Sequence, residues 1–215
     1  MSGEFQIDVI SDVVCPWCYV GQRRLAAALA QLPADDPARR ATLRWHPFQL
    51  NPDMPPAGIS RKTYAETKFG SPKRVAELNA RLVAVGETLG IPFAFDHIVH
   101  QPNTLDAHRL INWAQAQRDA SDIVERLFQA FFVDGRNIGD HTVLADIAGE
   151  SGFSADAARA MLDSGEGADA IASMDERARA IGVQGVPFFI FNQRIAVSGA
   201  QEPATLLDAI AQAKA

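Results

Sequence analysis

The stretch Ser11-Asp12-Val13-Val14-Cys15-Pro16-Trp17-Cys18-Tyr19-Val20-Gly21 decides the fold. It holds both cysteines of the chain, with a proline directly after the first. Upstream, Phe5, Ile7 and Val9 alternate with Gln6 and Asp8, the period-two signature of a strand. Downstream, Leu25, Ala28, Leu29 and Leu32 recur at helical spacing, and Pro16 suits a first turn, where its missing N–H costs nothing. Pro33 and Pro37 end that helix. The Cys-x-x-Cys motif is therefore expected on a strand-to-helix turn. A helix N-terminus offers unpaired N–H groups and the positive end of its dipole, and both stabilise a thiolate. Cys15 is expected to be the exposed nucleophile, with backbone amides around Pro16 and Trp17 facing its sulfur. Cys18, one turn along, is the recessed thiol that resolves a mixed disulfide. This exchange needs no cofactor.

Beyond this helix, Thr42 to His46 reads as a second strand broken by Pro47, which completes strand, helix, strand. Asn51 to Gly58 is a Pro-rich loop, and almost all of Ser60 to Ile181 reads as helix, with no strands expected. Ser71-Pro72 looks like an N-cap and first-turn proline ahead of a Val75, Leu78, Leu82, Val85, Leu89 stripe. Ala107, Leu110, Ile111 and Ala114 mark another helix, and Val124, Leu127, Phe128 and Phe131 the buried face of the next. Asp140 and Ser154 are expected N-caps. Ile171, Met174, Ala178 and Ile181 mark a last helix stopped at Gly182. Strand character then returns at Pro187 to Phe191 and Arg194 to Val197, around a turn at Asn192-Gln193, before a helix over 203–213. The two ends must share one sheet. The expected class is α/β, with residues 1–50 and 183–215 forming a sheet-based domain and 51–182 an inserted all-helical domain.

Composition narrows the function classes. The 215 residues are 47% hydrophobic and 21% charged, which excludes global disorder. Two cysteines cannot staple a chain of this length. The net charge of −6, without a Lys/Arg block, argues against nucleic acid. No apolar run approaches the ~20 residues of a membrane span, and the first ten residues do not read as a signal peptide. A cytoplasmic location is the expectation.

A second element is Val186-Pro187, at the head of the returning strand. An X-Pro bond beside a reactive thiol is a candidate cis peptide that would present the Val186 N–H and C=O to an incoming extended partner.

Five stretches carry a family resemblance: SDVVCPWCYVG at 11–21, WHPFQLNP at 45–52, NTLDAHRL at 103–110, VQGVPFFIFN at 183–192 and SGAQ at 198–201. They resemble the DsbA-type branch of the thioredoxin superfamily, specifically its FrnE-like members. The resemblance implies a thioredoxin fold with a large helical insertion, thiol–disulfide oxidoreductase activity on protein dithiols or disulfides or on small thiols, and a cis-proline loop at Val186-Pro187 facing Cys15 and Cys18. The branch is also similar to 2-hydroxychromene-2-carboxylate isomerases and kappa-class glutathione transferases, which usually carry Ser near the position of Cys15. That likeness leaves open a glutathione-dependent isomerase or transferase, admits glutathione as a co-substrate, and makes Asn51, Asn103, Ser198 and Gln201 candidate substrate-side residues beside Pro16 and Trp17. Relatives also allow a homodimer.

The plainer readings compete at each position. The cysteine pair could be half a zinc site, but no second pair or His-x-x-x-His accompanies it. His97, His100 and His108 lack a ligand repeat, so no metal is expected. Asp12 is expected to be a turn or capping residue, with a proton-relay role beneath the thiols as the alternative. Asn103-Thr104 is expected to cap its helix, with a substrate contact as the alternative.

Overall fold

A computed structural model describes residues 5–215. Strand β1 (Gln6–Ser11) leads through the cysteine turn into helix α1 (Pro16–Gln31), and β2 (Thr42–Pro47) follows. Two short strands, β3 (Ile59–Ser60) and β4 (His100–Gln101), bracket α2 (Arg61–Phe69) and α3 (Pro72–Thr88). Then come α4 (Leu105–Gln115), α5 (Ser121–Phe132), α6 (His141–Glu150), α7 (Ala155–Ser164) and α8 (Ala168–Ala180). The chain closes with β5 (Phe188–Phe191), β6 (Ile195–Ser198) and α9 (Pro203–Lys214).

The main sheet runs β2-β1-β5-β6, so strands from the two ends of the chain do form one sheet. β1 pairs parallel to β2 and antiparallel to β5, with Val9 opposite Phe189 and Ile10 opposite Phe188. Strand side chains alternate between faces. Ile7, Val9, Phe189 and Phe191 therefore join one core with Leu25 and Ala28 of α1 and Leu206 and Ile210 of α9. Ile10 points the other way and packs with Ala178 of α8, Phe48 and Val183, flanked by Phe188 and Ile190. The β5–β6 connection turns at Asn192 and Gln193, both in the left-handed region at φ 47° and 56°.

Helix starts follow the expected chemistry. Ser71, Asp140 and Ser154 each accept a hydrogen bond from the N–H of Arg74, Thr142 and Ala157 respectively. Two expectations fail. The central block is not free of strands, because Ile59 and Ser60 pair with Gln101 and His100. Gly58, at φ 67°, lets the chain run against that pair where a Cβ would sit 2.3 Å from His100 Nε2. Ile181 is 69% exposed rather than on a buried face, because α8 ends at Ala180 and Gly182, at φ 95°, turns the chain away.

Tyr19 joins α1 to the helical block. It leaves α1, stacks on Phe128 of α5 with ring centroids 5.0 Å apart, and meets Phe93 edge-on at 5.9 Å. Its hydroxyl donates to Glu125 at 2.8 Å, and burial pushes its pKa up to about 12. Aromatic pairs of this kind add roughly 0.5–1.5 kcal/mol beyond area burial, so α1 is held from the helical side as well as by the sheet.

Candidate active site

β1 ends at Ser11 and the chain turns tightly, with Cys15 N–H donating to the Asp12 carbonyl at 3.0 Å. Cys15 is the N-cap of α1 and Pro16 its first residue. The two cysteines are free thiols 3.5 Å apart. Cys15 is 5% exposed and Cys18 2%, so the expectation of an exposed Cys15 is corrected. The reason is tertiary: residues of α2 and α3 wall the space in front of Cys15, and the Val186 loop closes its other side. No N–H of α1 hydrogen-bonds the Cys15 side chain. Instead the Cys15 thiol donates to the Val186 carbonyl at 3.6 Å. Burial pushes the Cys18 thiol well up, Cys15 adds to the rise, and hydrogen bonds from the Ser11 side chain and the Asp12 backbone oppose it.

The Val186-Pro187 bond is cis. Pro187 packs on Gly21 of α1, where a Cβ would lie 2.7 Å from Pro187 Cγ. The Pro187 carbonyl accepts from Gly199 N–H at 2.8 Å, which ties this loop to the one after β6.

A cavity of about 320 Å³ opens in front of Cys15. Val14, Cys15, Pro16 and Trp17 form one side, and Tyr64, Leu78 and Leu82 are among the residues opposite. Trp17 is 43% exposed on this cavity. Asn51 stands at its edge, accepting from Lys68 Nζ at 2.9 Å and donating to the Tyr64 hydroxyl at 3.4 Å. Asn103 is spent internally: it accepts from Leu105 N–H at 2.8 Å and donates to the Met54 carbonyl at 2.6 Å, so it caps α4 and pins the Pro-rich loop. Gln201 is exposed after β6 and folds back onto the Ser198 carbonyl at 2.9 Å.

Asp12 is more than a turn residue. It is fully buried, accepts from Leu50 N–H at 2.8 Å, and has His108 Nε2 of α4 at 3.4 Å. Asp12 also accepts from the local Val14 N–H at 3.5 Å, as a turn residue does, while Leu50 N–H and His108 come from distant segments and help offset the burial of this carboxylate. His97 bonds the Val133 carbonyl at 3.0 Å, and among the described residues no group of His, Cys, Asp and Glu gathers as a metal site. Sequence reasoning missed the far wall, notably Arg61, Tyr64, Lys68 and Arg81. The Val75, Leu78, Leu82 stripe was visible, but nothing local ties it to Cys15.

With this geometry in place, comparison with known proteins gives the family. The DSBA-like thioredoxin domain model matches residues 6–211, and the chain belongs to that family. It is 27% identical over 147 residues to the uncharacterized protein YwbO of Bacillus subtilis, which covers 68% of this chain and 66% of that one. The chain thus spans just under two thirds of the curated relative it matches. Among solved structures, a probable DsbA oxidoreductase from Streptomyces coelicolor is 27% identical with a TM-score of 0.87, covering 98% of this chain and 90% of its own. The cytosolic disulfide reductase DsbM from Pseudomonas aeruginosa, solved with GSH, shares the fold at 19% identity and a TM-score of 0.63, covering 97% and 95%. The fold is the thioredoxin fold with a helical insertion. Among the described residues no helix is long and apolar enough to cross a membrane.

Proposed function

We propose that the chain is a dithiol–disulfide oxidoreductase working through Cys15-Pro16-Trp17-Cys18. The observation that carries this is the pair of free thiols 3.5 Å apart at a helix N-cap, one of them bonded to the Val186 carbonyl. As a thiolate, Cys15 attacks one sulfur of a substrate disulfide. That S–S bond breaks, the first substrate thiol leaves with a proton, and a mixed disulfide remains on Cys15. Cys18 then loses its proton and attacks the Cys15 sulfur, releasing the second substrate thiol and leaving a Cys15–Cys18 disulfide. Two electrons pass to the substrate, and two equivalents of an external thiol such as glutathione, or one protein dithiol, restore the pair. The reverse sequence oxidises a substrate.

The division of labour follows burial. Cys15 faces the cavity, whereas Cys18 lies behind it with its proton held firmly until the mixed disulfide forms. A departing thiol exposes the Val186 carbonyl to an extended partner, in the manner of an added strand. A reducing compartment such as the cytosol suits this cycle, since glutathione is at hand there, and DsbM with GSH supports such a partner.

The test is Cys18→Ser. With a disulfide substrate, this variant should accumulate a covalent adduct on Cys15, seen by mass spectrometry and released by dithiothreitol, while multiple turnover is lost. Normal multiple turnover by Cys18→Ser would refute the dithiol cycle in favour of a glutathione-dependent isomerase or transferase, in which no resolving thiol is needed.

A further inference from the structure

The cavity before Cys15 has a charge pattern that disulfide exchange alone does not call for. Its lining includes three cations, Arg61, Lys68 and Arg81, and no carboxylate, in a chain whose net charge is −6. Among the described residues none of the three is ion-paired. Arg61 donates to the neutral Gln101 side chain, and Lys68 to the neutral Asn51. Arg61 and Lys68 also flank the Tyr64 ring at 5.2 Å each. Arg61 is partly buried, and leaving a desolvated guanidinium without a counter-charge is unfavourable unless something else supplies one. The rest of the lining is mainly apolar, with Val75, Leu78 and Leu82 on one stripe of α3 beside Phe69 and Phe95, and Asn79 as a neutral polar exception.

A space of about 320 Å³ holds roughly ten waters at ~30 Å³ each, the scale of a small molecule rather than a folded surface. We propose that this cavity takes a small amphipathic disulfide or thiol bearing an anionic group, carboxylate or phosphate, and that Arg61, Lys68 and Arg81 select it by charge. This deepens the dithiol reading and rests on it. The apolar body of the ligand lies against α3, its acid meets the cations, and its sulfur reaches Cys15. The electron count is unchanged: the substrate disulfide is reduced to two thiols as Cys15 and Cys18 become a disulfide.

The test compares two aromatic disulfides, dithiobis(nitrobenzoate), with one carboxylate per ring, and dithiodipyridine, which is neutral. The readout is the ratio of their rates with the reduced protein. Because Lys68 and Arg81 are exposed, Lys68→Gln/Arg81→Gln should fold normally, and its anionic-to-neutral ratio should fall about tenfold, as loss of focused charge at a cleft does. The wild-type ratio should also decline as salt is raised. A ratio unmoved by the double substitution overturns the charge selection while leaving the dithiol cycle standing. If Cys15 and Cys18 react yet never bridge, the dithiol reading fails instead. A non-covalent arm reads the cavity in either case. Anilinonaphthalenesulfonate, an amphipathic anion, should slow alkylation of Cys15 in wild type and much less in the double variant. Equal protection in both would refute the assignment.

Discussion

Gly21→Ala tests whether the contact between α1 and the Pro187 loop sets the environment of Cys15. An added Cβ would lie 2.7 Å from Pro187 Cγ and 3.2 Å from Phe189 Cζ. Carbon atoms rest at ~3.5–4.0 Å, so the helix or the loop must move by about 0.8 Å or more. Both partners are backbone-anchored, since Pro187 bonds Gly199 and Phe189 is fully buried. Overpacking of this kind costs about 1–3 kcal/mol. Replacing a mid-helix glycine by alanine returns roughly 1 kcal/mol of helix propensity. The net expectation is a loss of about 1 kcal/mol, which at ~2–3 kcal/mol per molar lowers the urea midpoint by about 0.3–0.5 M. The local effect is the sharper one. The Cys15 thiol reaches the Val186 carbonyl at 3.6 Å, already near the limit for sulfur, and a displacement of that size breaks the contact. Cys15 should then be alkylated by iodoacetamide several times faster than in the wild type under native conditions. Gly21→Ala with equal or higher stability and an unchanged alkylation rate would refute the reasoning.

Two further outcomes concern the helical block. His141 bonds Asp163 at 2.7 Å and Asp106 at 3.0 Å; partial burial lowers its pKa, but the two carboxylates outweigh this and raise it. Its stabilisation is therefore complete below the unfolded value near 6.5 and is lost as pH rises through the higher folded value. His141→Gln should lower the urea midpoint at pH 6, and the gap to wild type should close at pH 9. Phe128→Ala removes a fully buried ring stacked on Tyr19 and should cost about 3–5 kcal/mol in denaturant melts. A loss below 1 kcal/mol would show that this cluster does not hold the two parts together.

What was legible in the chain was whatever local periodicity and capping encode. β1 announces itself because Ile7 and Val9 alternate with polar neighbours, and α3, α6 and α7 because Ser71, Asp140 and Ser154 precede apolar stripes. The β3–β4 pair is two residues per strand, too short to show a period, and exists because segments forty residues apart meet. Cys15 read as exposed because its neighbours in sequence leave it open; the walls that bury it come from residues 61–82 and 186. Asp12 and His108 each look ordinary alone, and only their approach to 3.4 Å in the buried core distinguishes them. Asn103 could be read as a cap, but its bond to Met54 belongs to the tertiary fold.

The partner of the Cys15 thiol lies 171 residues further along the chain, at Val186. At ribosomal speeds of ~5–20 residues per second, that carbonyl is made on the order of ten to thirty seconds after the cysteine. β5 and β6 arrive in the same late segment, so β1 lacks one of its two strand neighbours for all of that interval. A nascent chain thus carries both thiols outside their finished setting while the helical block is still being made. Reactivity of Cys15 during synthesis is then governed by the redox state around the ribosome rather than by the site, and the site takes control only once Val186, β5 and β6 have emerged.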